Sequence, residues 1–543
     1  LKRKLSRITA LIVVLAMFVV LLPSTVAASP FRDVEHGHYA FDAIVRWTGY
    51  GVLRGRGDGT FDPTASATRA EFATMLTRIM GYSVAAPAGS FTDIAGHWAA
   101  GNYILPATAA GAFVPGGTFR PDDPITRIEA FAALSRALGL DISNQAPTHF
   151  TDDALLTPEL RGVANAITAA GVVQGMGDGR FGVHEPIQRA HIMLIFHRSI
   201  SAFVQSSTTL PAGLSGFVVV RTPGVTITGT GAVNANLIIA QGVGDGVVTL
   251  QDVNLLGSLL VRAGGSDSVH IVGTSIIRNV VVERGGAEVA IRVGEGASVN
   301  SISVSSGEVV VSGVGDYVPT VARIEVESGA TVIIDASVIV AGLEIVGDDV
   351  TVIIYGTVEE LAIIGDGVVL EVAEGAVIEV LVVEGEGLEV DNQGEVQALY
   401  VDADVLGSLE WEGYDADVET ITIDGEAQPE PGLETPVQLP PTPPVAQPPA
   451  GDTVAPTPQW RPLTAFIYDS EYIGDLTFFI VELQGTHANR RLGTNTGQVR
   501  IMHGGVSLIT DISDTVVING QRQIRFVLEG SISIRDIVIE YLR

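Results

Sequence analysis

Arg56, Gly57 and Asp58 spell the tripeptide that many cell-adhesion ligands present to receptors. Three further arginines, Arg69, Arg127 and Arg189, sit in the related strings "ATRAEF", "ITRIEA" and "IQRAHI". Guanidinium and carboxylate groups are most of the polar chemistry this chain has. It contains no cysteine, which excludes disulfides, thiolate nucleophiles and cysteine metal sites. Its only lysines are Lys2 and Lys4, so everything beyond them lacks a lysine base, a Schiff base or an isopeptide crosslink. The net charge of −31 disfavours nucleic acid and anionic membranes as partners. Hydrophobic residues nevertheless make up 46% of the 543, so the acidic groups must coat buried cores rather than solvate a disordered polymer.

The adhesion tripeptide lies inside a repeat. "GVLRGRGDGTFDP" begins at Gly51, "GAFVPGGTFRPDDP" at Gly111 and "GVVQGMGDGRFGVHEP" at Gly171, each sixty residues after the last. Upstream stand "FRDV", "FTDI" and "FTDD", which carry Asp33, Asp93 and Asp152. Arg56 becomes Met176 in the third copy, while glycine around an aspartate persists ahead of Phe61 and Phe181. A tight turn with positive backbone dihedrals demands that pattern, so the turn explains the residues better than a recognition signal does.

Elements to hold these residues follow from the apolar spacing. "HYAFDAIVRWTGYGVL" places Ile44, Trp47 and Val52 near one helical face, and "TRAEFATMLTRIMG" does the same for Phe72, Met75, Leu76 and Ile79 before Gly81 stops the helix. Thr68 and Thr126 are suited to be N-caps, with Glu71 and Glu129 completing capping boxes. Each copy therefore reads as helix, turn, helix.

In their order, F-x-D, H-aromatic-A, G-x-G-D-G-x-F and T-R-A-E, these segments resemble the S-layer homology module. The resemblance covers residues 30 to 200 and implies a pseudo-threefold α-helical bundle that binds secondary polysaccharide of the cell wall, often pyruvylated, in grooves between copies. Carried over by position, it implies that Arg69, Arg127 and Arg189 pair with an acidic group on the glycan. It further implies glycan contacts from Asp33, Asp93 and Asp152 and from the aromatic residues Tyr39 and Trp98, although such aspartates also cap helices and such aromatics also fill cores. The first copy keeps the whole motif, so Arg69 is expected to matter most of the three arginines. The second lacks the G-D-G turn. In the third, Pro158 stands near the aromatic position, Gln188 replaces the threonine and His191 the glutamate.

From about residue 210 to 425 short Val/Ile runs recur at intervals of 18 to 22 residues, ending at Ala240, Val261, Val282, Val304, Val326, Val346, Ile364, Val383 and Val401. Three short strands per interval make one triangular coil, so the expectation is a parallel β-helix of about nine or ten coils and on the order of 45 Å long. Between Ile324 and Trp460 there is no Lys, Arg or His, while Glu325 to Asp424 supply 25 carboxylates. Calcium would neutralise such a column, with Asp348, Asp349, Asp402 and Asp404 as candidate ligands beside the pair Glu359 and Glu360, although no segment matches a defined calcium loop. A solvated acidic face is the competing reading. Paired carboxylates on this fold also leave room for a wall-tethered polysaccharide lyase or hydrolase, but a lyase wants a basic residue that the second half lacks.

The ends complete the plan. Lys2, Arg3, Lys4 and Arg7 precede an apolar run from Ala10 to Leu22 and the small residues Val26, Ala27 and Ala28, as in a signal peptide cleaved after Ala28. No later run is long enough to span a bilayer. Residues 429 to 458 hold eleven prolines, which favours an extended linker. Alternating strands beyond it suggest a small antiparallel all-β domain. The expected layout is a signal peptide at 1–28, modules at 29–88, 89–147 and 148–203, a β-helix at 210–425, a linker at 426–458 and the all-β domain at 459–543. The expected role is non-enzymatic: anchoring at the cell surface on wall polysaccharide, with self-association into a surface layer as a further partner relation.

Overall fold

The computed structural model describes residues 29–401, Val405, residues 407–412 and a set of strands beyond them. The expected signal peptide, Asp402, Asp404 and all but the first two residues of the expected linker lie outside the described residues. No described helix is long and apolar enough to cross a membrane. Two compact units divide the chain: one runs to Val225 and takes in Gly231–Gly244, the other takes in Thr226–Thr230 and continues from Asp245.

The first unit is built from α1 (Phe41–Gly49), α2 (Arg69–Met80), α3 (Leu105–Ala109), α4 (Arg127–Leu138), α5 (Pro158–Ala169) and α6 (Arg189–Ser199). Local sequence fixes their ends. Thr68 and Thr126 accept the N–H groups of Glu71 and Glu129, whose side chains return the bond, and left-handed Gly81 and Gly139 stop α2 and α4. Pro158 occupies the first turn of α5, where its missing N–H costs nothing. Ile44, Trp47, Phe72, Leu76 and Ile79 are buried as the spacing requires, and Phe61, Phe119 and Phe181 of the three turns are fully enclosed.

Three backbone bonds close a ring that joins the copies. The Ala67 N–H donates to Ile187, Ile187 to Ile125 and Ile125 back to Ala67, all at 3.0 Å. Each residue stands two places before an inter-module arginine, so the ring sets all three side chains in equivalent positions. Beyond α6 the chain of this unit turns to strands Ile200–Val204, Phe217–Val220 and Asn236–Ile239, stacked in parallel.

In the second unit, parallel pairing carries one column through Val261, Val282, Val304, Val326, Ile345, Ile363, Val383, Val401 and Ile423. A second ladder runs through Val332, Val352, Leu370 and Val390, and a third through Val321, Val340, Val358, Ile378 and Val396. The fold after the helices is thus a parallel β-solenoid of about ten turns. The expected column residues Val346 and Ile364 are corrected by one position, to Ile345 and Ile363. Alternation decides this: Leu343 and Ile345 point inward, as do Leu361 and Ile363, leaving the last apolar residue for the corner. Ala240 likewise lies one past the strand, where Ile239 pairs with Val220.

The acidic corners have a structural use. Cβ atoms on Gly347, Gly365 and Gly385 would come within 2.0 Å of backbone in the preceding coil, so only glycine lets the turns stack. Beside them the Asp348 carboxylate accepts the Asp366 N–H at 3.0 Å, and Asp366 accepts that of Glu386 at 2.8 Å. Each carboxylate thereby holds the backbone of the coil that follows. Further along, strands between Trp460 and Leu542 pair into two four-stranded antiparallel sheets.

Candidate functional site

Each module's arginine crosses to the next module around the ring. The Nε of Arg69 donates to the Phe119 carbonyl at 2.5 Å, that of Arg127 to Phe181 at 3.0 Å and that of Arg189 to Phe61 at 3.0 Å. The same guanidinium groups lie 5.0, 5.9 and 4.8 Å from the centroids of those phenylalanine rings. Desolvation pulls all three below their ordinary pKa, and they remain charged. Arg189 is only 4% exposed and pairs with Glu71 at 2.9 Å. Arg69 pairs with Glu129 at 2.6 Å.

Asp33, Asp93 and Asp152 hold the turns that carry those phenylalanines. Asp33 accepts the N–H groups of Phe61 and Asp62, Asp93 those of Phe119 and Arg120, and Asp152 those of Phe181, Gly182 and Val183. Asp62, Arg120 and Gly182 have φ of 60°, 57° and 81°, so each aspartate clamps a left-handed residue in place. Partial desolvation alone would raise these carboxyl pKa values, but the backbone donors outweigh it and leave all three below the ordinary range.

One groove of the unit opens into a pocket of about 330 Å³. Its walls bring together Arg54, Arg56, Arg78 and Arg189 against a single carboxylate, Glu71, with Trp98 at its edge. Trp98 is 59% exposed, and Tyr39, its counterpart in the first module, 58%. Arg56 of the adhesion tripeptide bonds Glu71 at 2.8 Å, while Asp58 accepts the Thr60 N–H and hydroxyl. Both charged ends of the tripeptide are therefore tied into the module. Arg54 and Arg78 are pocket residues that motif matching passes over. Only the run of arginines in "LRGR" and the helical spacing of Arg78 from Glu71 signal them.

The structure thus brings Arg189 and Trp98 into one site; Arg69 and Arg127 make the equivalent inter-module bonds, and the Tyr39 ring lies 6.0 Å from that of His191. Of the candidate metal ligands, Asp348 is engaged by the Asp366 backbone, and among the described residues no three His, Asp or Glu side chains converge as a metal site requires.

Residues 30–73, 90–131 and 150–192 match the S-layer homology domain. The chain is similar to cell surface glycoprotein 1 of Acetivibrio thermocellus, 37% identical over 139 residues, which is 23% of this chain and 6% of that protein. It is similar to the cellulosome-anchoring protein of the same organism, 37% identical over 129 residues, 22% of this chain and 29% of that one. It is also similar to the S-layer protein sap of Bacillus anthracis, 31% identical over 163 residues, 29% of this chain and 20% of that one. The matched part spans less than a third of each of these relatives. Motif order, the backbone ring and the family match agree: the chain carries three S-layer homology domains, followed by a parallel β-solenoid.

Proposed function

We propose that the three S-layer homology modules, at 29–88, 89–147 and 148–203, anchor this protein non-covalently to an acidic polysaccharide of the cell wall. The solenoid and the strands after it are then carried at the cell surface. The observation that bears most weight is the charge of the pocket: four arginines and one glutamate line it in a protein of net charge −31. A site so charged favours an anionic ligand, and a half-exposed indole beside it suits a sugar face. The names of the similar proteins, a cellulosome-anchoring protein and an S-layer protein, support the same reading. In it the three F-x-D aspartates act by positioning the turns rather than by touching sugar.

Sedimentation of the full chain with isolated wall sacculi tests this. The protein should pellet with them, stay in solution when wall polysaccharide has been stripped, and lose binding in an Arg54→Ala, Trp98→Ala variant whose helical circular dichroism is unchanged. Binding that survives both the stripping and the double substitution would refute the anchor. The reading gives the solenoid no catalytic step, and release of unsaturated or reducing ends from acidic polysaccharides by the full chain would overturn that part.

A further inference from the structure

Helix α2 supplies one wall of the arginine pocket: Glu71, Thr74, Met75 and Arg78 line it at the spacing of a single helical face. The last of them, Arg78, is held from three sides. Its guanidinium donates to the Val52 carbonyl at 3.2 Å and lies 5.3 Å from the centre of the Tyr103 ring. Its backbone carbonyl accepts the Nε–H of Arg221 at 2.8 Å. Arg221 stands outside all three modules, directly after the strand Phe217–Val220 of the first solenoid coil, yet it belongs to the same compact unit as the helices.

The joint is shaped for that one side chain. α2 stops at Gly81, where a Cβ would stand 2.3 Å from the Gly242 Cα and 3.3 Å from the Arg221 Cζ. A Cβ on Gly242 would in turn meet the Arg221 Nη1 at 3.0 Å and Cγ at 3.1 Å. Two glycines, one closing the helix and one from the solenoid, leave a slot that admits a single guanidinium. A cation there also faces the negative end of the helix dipole, where the last carbonyls lack partners within the helix. The sister helix shows the alternative. In α4 the counterpart carbonyl, that of Arg136, takes the Gly139 N–H at 3.2 Å, whereas the Gly81 N–H turns to Thr77 and leaves the Arg78 carbonyl to Arg221. Packing continues the joint: Arg46 donates to the Ser201 carbonyl at 3.1 Å, and the Phe203 ring lies 5.7 Å from that of Trp47 and 4.9 Å from that of Tyr50.

We propose that Arg221 is a positioning residue of the wall-binding pocket: by capping α2 from the first coil it fixes the helical turn that carries Arg78, so the solenoid helps to set the affinity of the anchor. The proposal rests on the wall-anchoring reading above. Arg221 itself touches no sugar in it. Its effect passes through Arg78, and the working anchor runs to about Gly244 rather than ending at residue 203. Pocket and coil are then linked, and what loosens the coil weakens the grip on the wall.

The test uses the full chain and sacculi, comparing wild type with Arg221→Ala, Arg221→Lys, Arg78→Ala and the double variant Arg78→Ala, Arg221→Ala. Arg221→Ala should bind about fivefold more weakly, and hydrogen exchange at the end of α2, residues 79–82, should quicken. Arg221→Lys keeps a donor and a charge at the helix end and should recover most of the binding. In the Arg78→Ala background, Arg221→Ala should cost no further affinity, because the side chain it positions is gone; a general loss of stability would instead add to the first loss. Should Arg221→Ala melt below the assay temperature, Arg221→Met, which keeps an apolar stem in the slot without the donor, takes its place. Wild-type affinity in the donor-less variant, or losses that add in full, would overturn the proposal. The anchor would still stand if Arg54→Ala, Trp98→Ala lost binding in the same series, whereas failure of wild type to sediment would remove both.

Discussion

Asp33, Asp93 and Asp152 work on the backbone of their own modules. Each carboxylate is committed to the backbone of a left-handed turn, and the turn sets the carbonyl that an arginine from another module grips. Asp93→Ala should cost about 2 to 3 kcal/mol, since charge-assisted bonds to two N–H groups are lost together. Thermal melts of the full chain followed by helical ellipticity would measure it. The sign of the pH effect follows from the lowered pKa values. These groups bind protons less readily when folded, so their stabilisation is present above the unfolded carboxyl range and is lost as pH falls through the lower folded values. Helical ellipticity should therefore persist to about pH 4 and fail below it. An acid midpoint unchanged in an Asp33→Asn, Asp93→Asn, Asp152→Asn variant would contradict this.

At the scale of elements, the solenoid corners are as exacting as any core position. A methyl group on Gly365 would stand 1.9 Å from the Gly347 carbonyl oxygen, and the atoms it meets are backbone of the preceding coil, which cannot swing aside as a side chain can. Gly365→Ala should lower stability by about 3 kcal/mol, the upper end for overpacking. Asp366→Ala, which only frees the Glu386 N–H to water, should cost about 1 kcal/mol. Denaturant melts monitored by β-sheet ellipticity would separate the two, and equal costs would refute the stacked-corner account. Helix ends behave similarly: Thr126→Ala removes the hydroxyl that accepts the Glu129 N–H, leaving only the backbone half of the capping box, and should cost about 1 kcal/mol.

For the whole molecule, charge is the lever. Twenty-five carboxylates lie between Glu325 and Asp424 with no basic residue among them, so rungs a few ångströms apart repel. Monovalent salt should raise the melting temperature of the β-sheet signal by screening that repulsion, and the same salt should weaken sedimentation with sacculi by screening the arginine pocket. Opposite responses to one variable are the expected outcome. A chelator should leave the melting temperature unchanged, because the corner carboxylates Asp348 and Asp366 already accept backbone N–H groups of the following coil. A large drop on chelation would restore the calcium reading.

Repeats, caps and coil length are local properties, and the sequence by itself determined them. Three helix-turn-helix copies, Thr68 and Thr126 as caps and a Val-rich solenoid all follow from spacing that short stretches of chain impose on themselves. Which arginines share a pocket was decided only by the tertiary structure. The motif favoured Arg69, yet the ring of backbone bonds carries each arginine into a neighbouring module, so Arg189 meets Arg54, Arg78 and Trp98 there. The same ring sets Arg127 beside His191 rather than a glutamate. Partners more than fifty residues apart leave no trace in local periodicity, and a one-residue choice of which valine faces inward leaves only parity.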